Sequence, residues 1–176
     1  MRIKTSVIDL DGTLVRCNSF TEFVKFLFRR LPSQRLAIIG IVFQRKLRQI
    51  SHHQAKERIV AIAQSQLSDV DIDEFAESLT GYVNPEVMEM VSGAERKILA
   101  TAAPEIYVRA FAAKMDIPEY TATRQGYEEN KGTVKLESVK KMGVVFGEGT
   151  LVITDHSDDH PLMVANSGGI NRLIGN

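Results

Sequence analysis

Acidic residues stand close together at two distant places in this chain of 176 residues. Asp9-Leu10-Asp11-Gly12-Thr13 lies near the beginning, and Asp155-His156-Ser157-Asp158-Asp159 lies near the end. If the fold brings these segments together, their carboxylates repel one another unless they bind a cation or share a proton. Such oxygen ligands suit Mg²⁺, which keeps several waters and completes its shell with phosphate oxygens. One aspartate could then attack phosphorus while another transfers a proton at the leaving oxygen.

Two further residue types that suit phosphoryl transfer occur between these segments. Thr101 can offer a hydroxyl to a phosphoryl oxygen, and Lys131 or Lys135 can offer a positive charge against the negative charge that develops there. Some of these residues also have an ordinary interpretation, since Thr101 could cap a helix and Asp9 and Asp11 could cap the turn that follows them. The complete set predicts phosphoryl-transfer chemistry.

Alternating strands and helices predict how these residues are brought together. Hydrophobic patterns indicate strands at residues 2–10, 97–100, 120–123 and 150–154, with helices over 104–114 and 132–142. Strands that alternate with helices at this length are typical of a parallel sheet covered by helices. Since ligands bind at the carboxyl ends of such strands, we expect the polar residues after the first, second and last strands to converge.

A long helical stretch separates the first strand from the others. Apolar residues recur at helical spacing from Ser19 to about Val91, and Pro32 and Pro85 mark breaks between helices. The sequence therefore predicts an α/β protein whose parallel sheet is interrupted, after its first strand, by a helical insert.

Composition excludes several classes of protein. The chain is 44% hydrophobic and 25% charged, as globular rather than disordered proteins are. Its 22 Lys and Arg balance 22 Asp and Glu, so no nucleic-acid partner is expected. Cys17 is the only cysteine, which rules out an internal disulfide or a thiolate zinc site. The longest apolar run, residues 36–43, is too short to cross a bilayer, and we expect a cytoplasmic protein.

The segment of residues 35–48 allows two interpretations. Its apolar run is followed by Arg45, Lys46 and Arg48. Amphipathic helices are common in protein cores, so a buried helix with a basic end is the favoured interpretation. The alternative is contact with an anionic membrane surface, for which this composition is also typical, and a lipid phosphate would then be a candidate substrate.

Four segments resemble, in order, the four motifs of the haloacid dehalogenase superfamily, whose phosphohydrolases use an aspartate nucleophile. They are residues 9–14, 98–104, 131–135 and 155–159. The insert is similar to the helical C1-type cap of the phosphoserine-phosphatase-like branch. The resemblance implies a Rossmann-like core of residues 1–14 and 96–176 and a cap of residues 15–95 that closes over the site. One departure is Thr154, which stands where the fourth motif usually has glycine.

The resemblance also implies roles for the matched residues. Asp9 would be the nucleophile that forms an aspartyl-phosphate, and Asp11 would act as general acid and then as general base. Thr101 would bind the phosphoryl group. A carboxylic acid at the position of Asp11 favours a phosphate ester as substrate, because the leaving oxygen of an ester needs a proton.

The lysine of the third motif has two candidates. Lys131 and Lys135 lie one helical turn apart. We prefer Lys135, because the apolar Val139 and Met142 follow it at the spacing usual in the family. This lysine would neutralise the phosphoryl group and the nucleophile.

The resemblance implies Mg²⁺ as the cofactor. Its ligands would be the carboxylates of Asp9 and Asp155 and the backbone carbonyl of Asp11. Asp159 would support the metal through water or orient the lysine. The leading expectation is a Mg²⁺-dependent phosphatase that acts on a small phosphorylated metabolite. The alternatives are a non-catalytic protein of the same fold that binds metal or phosphate, and a phosphomutase or phosphotransferase.

Overall fold

Five parallel strands form one sheet in the computed structural model, which describes residues 2–175. The strand order across the sheet is β3-β2-β1-β4-β5, and every neighbouring pair is parallel. The α/β class and the parallel sheet are thereby confirmed. The strands are β1 (Thr5–Ile8), β2 (Arg96–Pro104), β3 (Glu119–Thr123), β4 (Thr150–Thr154) and β5 (Ile170–Leu173).

The register of the sheet places the first acidic segment at its centre. Ile8, the last residue of β1, pairs with Leu99 of β2 and with Ile153 of β4. Asp9 then continues the strand direction, and its backbone N–H donates to the carbonyl of Ile153 at 2.9 Å. Residues that follow β1, β2 and β4 therefore emerge together at the carboxyl edge.

Five helices lie between β1 and β2, in the stretch where helices were predicted. Local signals explain where several of them begin. The side chains of Ser51 and Ser68 each accept a backbone hydrogen bond and complete a capping box, while Asn84 caps a helix whose first residue is Pro85. The helices are α1 (Ser19–Arg30), α2 (Arg35–Lys46), α3 (His52–Gln66), α4 (Asp69–Thr80) and α5 (Pro85–Val91).

Three more helices connect the later strands: α6 (Glu105–Lys114), α7 (Gly132–Lys141) and α8 (His160–Ala165). A small core of Val7, Ile98, Val139, Val152 and Leu162 packs α7 and α8 against one face of the sheet. Burial of such side chains contributes roughly 1.5–3 kcal/mol each.

The larger core joins the sheet to the helices of the insert. The rings of Phe23 in α1, Phe75 in α4 and Tyr107 in α6 are buried, with centroids 4.9–5.1 Å apart. Leu99 and Ile153 of the sheet belong to the same core. The helices of the insert therefore share one apolar core with α6 and the sheet. The division into a core of residues 1–14 and 96–176 and a cap of residues 15–95 stays a prediction.

Two features of the fold differ from the sequence-based expectations. β5 was not predicted, because it has only four residues, lies at the sheet edge and has two exposed side chains. The interpretation of residues 35–48 as a buried helix is wrong for most of its length, since Ile38 is the one buried residue of α2. No helix within residues 2–175 has both the length and the apolar content needed to span a bilayer.

Candidate active site

A cavity of about 550 Å³ lies at the carboxyl edge of the sheet. The residues after β1 and β4, part of β2 and the first turns of α7 contribute to its lining. Every site residue predicted from the sequence lines this cavity, namely Asp9, Asp11, Thr101, Lys135, Asp155 and Asp159, and so does the alternative lysine, Lys131.

Lys135 joins the two acidic segments. Its Nζ donates one hydrogen bond to Asp9 Oδ1 at 2.8 Å and another to Asp159 Oδ2 at 2.8 Å. Asp159 Oδ2 also accepts from the hydroxyl of Thr154 at 2.8 Å. All four side chains are buried. Burial alone would lower the pKa of Lys135, but the charges of Asp9 and Asp159 outweigh it and raise that pKa. The lysine therefore stays charged.

Lys131 has a different environment. It lies at the N-cap of α7, where its side chain is about half exposed and is 3.4 Å from Glu129 Oε2. The structure places Lys135, and not Lys131, against Asp9.

The environment of Asp9 disfavours its ionised form. Its pKa is raised from 3.8 to about 7, mainly by burial; the charge of Lys135 opposes this rise, while the neighbouring carboxylates of Asp159 and Asp11 add to it. One lysine thus does not fully compensate the negative charge at this position. A bound cation would stabilise the ionised form of Asp9.

Asp11 is held by the first helix of the insert. The backbone N–H of Ser19 donates to Asp11 Oδ1 at 2.6 Å, and the Ser19 hydroxyl is 3.0 Å from the hydroxyl of the buried Tyr107. Ser19 is the first residue of α1, so the helix N-terminus orients this carboxyl group. Burial raises the pKa of Asp11, in spite of the hydrogen bonds from Ser19.

Thr101 lies inside β2 rather than at its end, because this strand continues to Pro104. Its hydroxyl accepts from the backbone N–H of Ala103 at 3.0 Å, and its carbonyl accepts from Asn130 Nδ2 at 2.9 Å. The buried Asn130 in turn donates its backbone N–H to the hydroxyl of Thr123 in β3. These contacts hold the Thr101 backbone at the cavity wall.

Gly12 allows the close approach of Asp155 to the first acidic segment. Its φ is +70°, and a Cβ built there would lie 2.0 Å from Asp155 Oδ2. Any side chain at position 12 would therefore displace the Asp155 carboxylate. Burial raises the pKa of Asp155.

The donor set fits a hard divalent cation. The carboxylates of Asp9 and Asp155 and the backbone carbonyl of Asp11 would be its ligands, whereas Asp159 is engaged by Lys135 and Thr154. Within residues 2–175, no three His, Cys, Asp or Glu side chains form a metal cluster. Two carboxylates suffice for Mg²⁺, which takes its remaining ligands from water and phosphate.

The insert contributes residues that sequence reasoning missed. Lys56 of α3 is buried, and its Nζ donates to Glu129 Oε1 at 2.5 Å and to the carbonyl of Ala102 at 3.1 Å. Glu129 lies in the segment after β3, so this ion pair links the insert to the sheet across the cavity. Burial and the charge of Lys56 lower the pKa of His52, which also lines the cavity. In the sequence, the one indication that both residues could face the same cavity was their spacing of one helical turn.

Solved structures with the same fold include proteins that carry phosphatase names. A protein of unknown function from Bordetella pertussis Tohama I matches with a TM-score of 0.70 and 18% identity, over 94% of this chain and 87% of that one. A phosphoserine phosphohydrolase-like protein from Francisella tularensis matches with a TM-score of 0.57 and 20% identity, over 94% and 84%. A substrate-bound phosphoserine phosphatase matches with a TM-score of 0.58 and 14% identity, over 97% and 86%. These likenesses concern the fold.

Sequence comparison identifies the family. No curated protein sequence matches the chain significantly. The family model described as haloacid dehalogenase-like hydrolase matches residues 7–164, which include all four motif segments. The resemblance expected from those motifs is confirmed, and the chain belongs to the haloacid dehalogenase-like hydrolase family.

Proposed function

We propose that this protein is a Mg²⁺-dependent phosphatase that hydrolyses a small phosphomonoester through an aspartyl-phosphate. The observation that carries the proposal is the buried contact of Lys135 with Asp9, in a cavity that Asp11 and Asp155 also line. Membership of a hydrolase family and a fold shared with phosphoserine phosphatases support it.

In the first step, the Asp9 carboxylate attacks the phosphorus of the ester. A bond forms between Asp9 and phosphorus, and the bond from phosphorus to the leaving oxygen breaks. Asp11 gives its proton to that oxygen, so the alcohol leaves uncharged. The raised pKa of Asp11 suits this role, because the group keeps its proton at higher pH than an ordinary aspartate does.

In the second step, water hydrolyses the intermediate. Asp11, now ionised, takes a proton from the water as the oxygen of that water attacks phosphorus. The bond from phosphorus to Asp9 breaks, which restores the Asp9 carboxylate and releases inorganic phosphate. The hydrogen bond from Ser19 keeps Asp11 oriented in both steps.

Three other residues bind the phosphoryl group or position the residue that neutralises its charge. The hydroxyl of Thr101 and the ammonium of Lys135 bind phosphoryl oxygens, and Asp159 positions Lys135. Asp9, Asp155 and the carbonyl of Asp11 would hold Mg²⁺, which supplies positive charge to the phosphoryl oxygens when bound.

The helices of the insert act in this proposal as a cap. The Lys56–Glu129 pair spans the cavity from α3 to the segment after β3, and Asn18 and His52 add polar groups to its wall. Such a polar space suits a small hydrophilic phosphomonoester, and closure of the cap over it would limit the access of water. Phosphoserine is the first candidate, because it is the substrate named for structural neighbours. We also propose a cytoplasmic location, which suits a chain whose one cysteine forms no internal disulfide.

Hydrolysis of p-nitrophenyl phosphate and of a panel that includes phosphoserine tests the proposal. Activity should disappear with a chelator and return with Mg²⁺. Asp9→Asn should lower kcat by about a thousandfold or more, since it removes the nucleophile. The control Asp73→Asn, an exposed aspartate of α4, should leave kcat unchanged.

Acid quenching with a ³²P-labelled substrate tests the intermediate. Label should remain on the wild-type protein and be absent from Asp9→Asn. If the wild type hydrolyses none of the panel but still binds Mg²⁺ or phosphate, the proposal is wrong and the non-catalytic alternative is favoured.

A further inference from the structure

Helix α2 exposes a row of large apolar side chains. Leu36 and Phe43 are 84% and 58% exposed, and Ile39 and Leu47 are also exposed. These four residues follow one another at intervals of three or four, which places them on one side of the helix. Ile38 and Ile41, which contact the core, lie on the opposite side. We call the four residues the α2 face. Each of the four keeps half or more of its surface exposed.

Basic residues surround the α2 face. Arg35 and Lys46 lie beside it on the helix, Arg48 follows the end of the helix, and Arg45 lies near that end on the side of Ile38; all four are exposed. The chain has no Asp or Glu between Lys25 and Lys56. Within residues 2–175, none of the four has a carboxylate oxygen within 4.0 Å. The face therefore combines exposed apolar area with uncompensated positive charge.

The charge argues against a second copy of the chain as the partner. A two-fold dimer would place the same surface on both sides of the interface. The basic residues of the two α2 helices would then face each other without intervening carboxylates, and such like-charge contacts oppose association. The partner has to offer both an apolar phase and negative charge.

We propose that the α2 face docks this protein on the surface of an anionic lipid bilayer. Leu36, Ile39 and Phe43 would enter the boundary between headgroups and acyl chains, while Arg35 and Lys46 would lie at the level of the lipid phosphates. Interfacial helices of this kind combine an apolar face with Lys and Arg residues beside it.

The helix that carries the docking surface packs against a helix that lines the cavity. Helix α3 packs on α2, with Arg58 Nη1 donating to Gln44 Oε1 at 2.7 Å. His52 and Lys56 of the same α3 line the cavity. The charge of Arg45 also helps to lower the pKa of His52. A phosphate ester on the bilayer would therefore meet the protein on the side of the insert.

Co-sedimentation with vesicles tests the docking. The full chain is mixed with vesicles of phosphatidylcholine alone or of phosphatidylcholine with phosphatidylglycerol, at low and at high ionic strength. Wild type should sediment with the anionic vesicles at low ionic strength, and much less at high ionic strength or with neutral vesicles. The triple variant Arg45→Gln, Lys46→Gln, Arg48→Gln should bind about a hundredfold more weakly, since each basic residue near the surface contributes about fivefold.

Polar substitutions on the α2 face test the contribution of its apolar side chains. Leu36→Gln combined with Phe43→Gln should weaken binding about tenfold or more. Two controls match these changes: Val145→Gln, whose side chain is as exposed as that of Leu36, and the pair Lys140→Gln, Lys141→Gln on α7. The controls should bind like wild type, and thermal unfolding should show that all variants fold, because every changed residue is exposed.

Three results would overturn the proposal. The first is absence of wild-type sedimentation with anionic vesicles at low ionic strength, and the second is equal binding by the α2 variants and the controls. The third is a stable wild-type dimer, in sedimentation velocity without lipid, that Leu36→Gln and Phe43→Gln dissociate, because a second copy would then cover the face. None of these measurements uses phosphatase activity, so their outcome is independent of the proposed function.

Discussion

Lys135 Nζ lies 2.8 Å from Asp9 Oδ1, although 126 positions separate the two residues in the chain. Both side chains are buried, and the same ammonium holds Asp159. Removing one member of a buried ion pair leaves the other charge without compensation. The contact therefore couples the stability of the sheet edge to the charge state of Asp9.

Lys135→Ala should lower the free energy of unfolding by about 3–5 kcal/mol, because it leaves two carboxylates buried without their cation. It should also lower kcat toward p-nitrophenyl phosphate by at least about a hundredfold. Lys131→Ala, the matched control, should change the unfolding free energy by less than about 0.5 kcal/mol, since Lys131 is exposed. Urea unfolding and the assay measure both effects. Equal losses in the two variants would contradict the assignment of Lys135.

The raised pKa of Asp9 predicts a pH dependence of stability without metal. Its pKa is 3.8 in the unfolded chain and about 7 in the folded one, so the folded state binds more protons between these values. Protonation of Asp9 therefore stabilises the folded state; this contribution is complete below pH 3.8 and is lost as the pH rises through about 7. With a chelator present, urea unfolding should show that the unfolding free energy of the wild type falls between pH 4 and pH 8. This fall should exceed that of Asp9→Asn by on the order of 3 kcal/mol. Parallel pH curves for the two proteins would refute this prediction.

Gly12 and Gly126 form a matched pair of positions. Both have positive φ, +70° and +78°, but a Cβ at Gly126 meets nothing within 4 Å, whereas one at Gly12 overlaps Asp155. Both alanine variants should lose about 1–2 kcal/mol of unfolding free energy from backbone strain. Gly12→Ala should in addition lower kcat and weaken Mg²⁺ binding, each by about tenfold or more, while Gly126→Ala should retain both. Intact Mg²⁺ binding in Gly12→Ala would show that Asp155 is not a ligand.

The Lys56–Glu129 pair should be energetically coupled. A double-mutant cycle with Lys56→Met and Glu129→Gln, measured by urea unfolding, should give a coupling energy between about 0.5 and 3 kcal/mol. The control cycle uses the exposed pair of Lys140 and Glu137, also in hydrogen-bond contact, and should give less than about 0.5 kcal/mol. A coupling energy no larger than the control would mean that the pair does not hold the insert to the sheet.

Much of the fold was predictable because hydrophobic periodicity is a local property. The buried strand Thr150–Thr154 has the predicted bounds, and α7 ends within one residue of the predicted helix end. β5 was not predicted, because a four-residue edge strand with two exposed side chains has no clear hydrophobic pattern. β2 was expected over residues 97–100, and it extends to Pro104 through an irregular register with β3.

The site was predictable in its residue types but not in its supporting contacts. The acidic segments, Thr101 and Lys135 belong to recognisable motifs near strand ends or helix starts. Lys56 and Asn130 belong to none, and nothing local shows that their polar side chains are buried. Burial of a polar group depends on the partner that satisfies it, which here comes from a distant segment.

The sequence by itself determined the family, the parallel sheet and the chemical groups available to the site, because each depends on residue types at short spacing. Only the tertiary structure decided which lysine meets Asp9 and that α2 leaves its apolar face uncovered. A periodic pattern shows which side of a helix is apolar, but what covers that side depends on how distant segments pack.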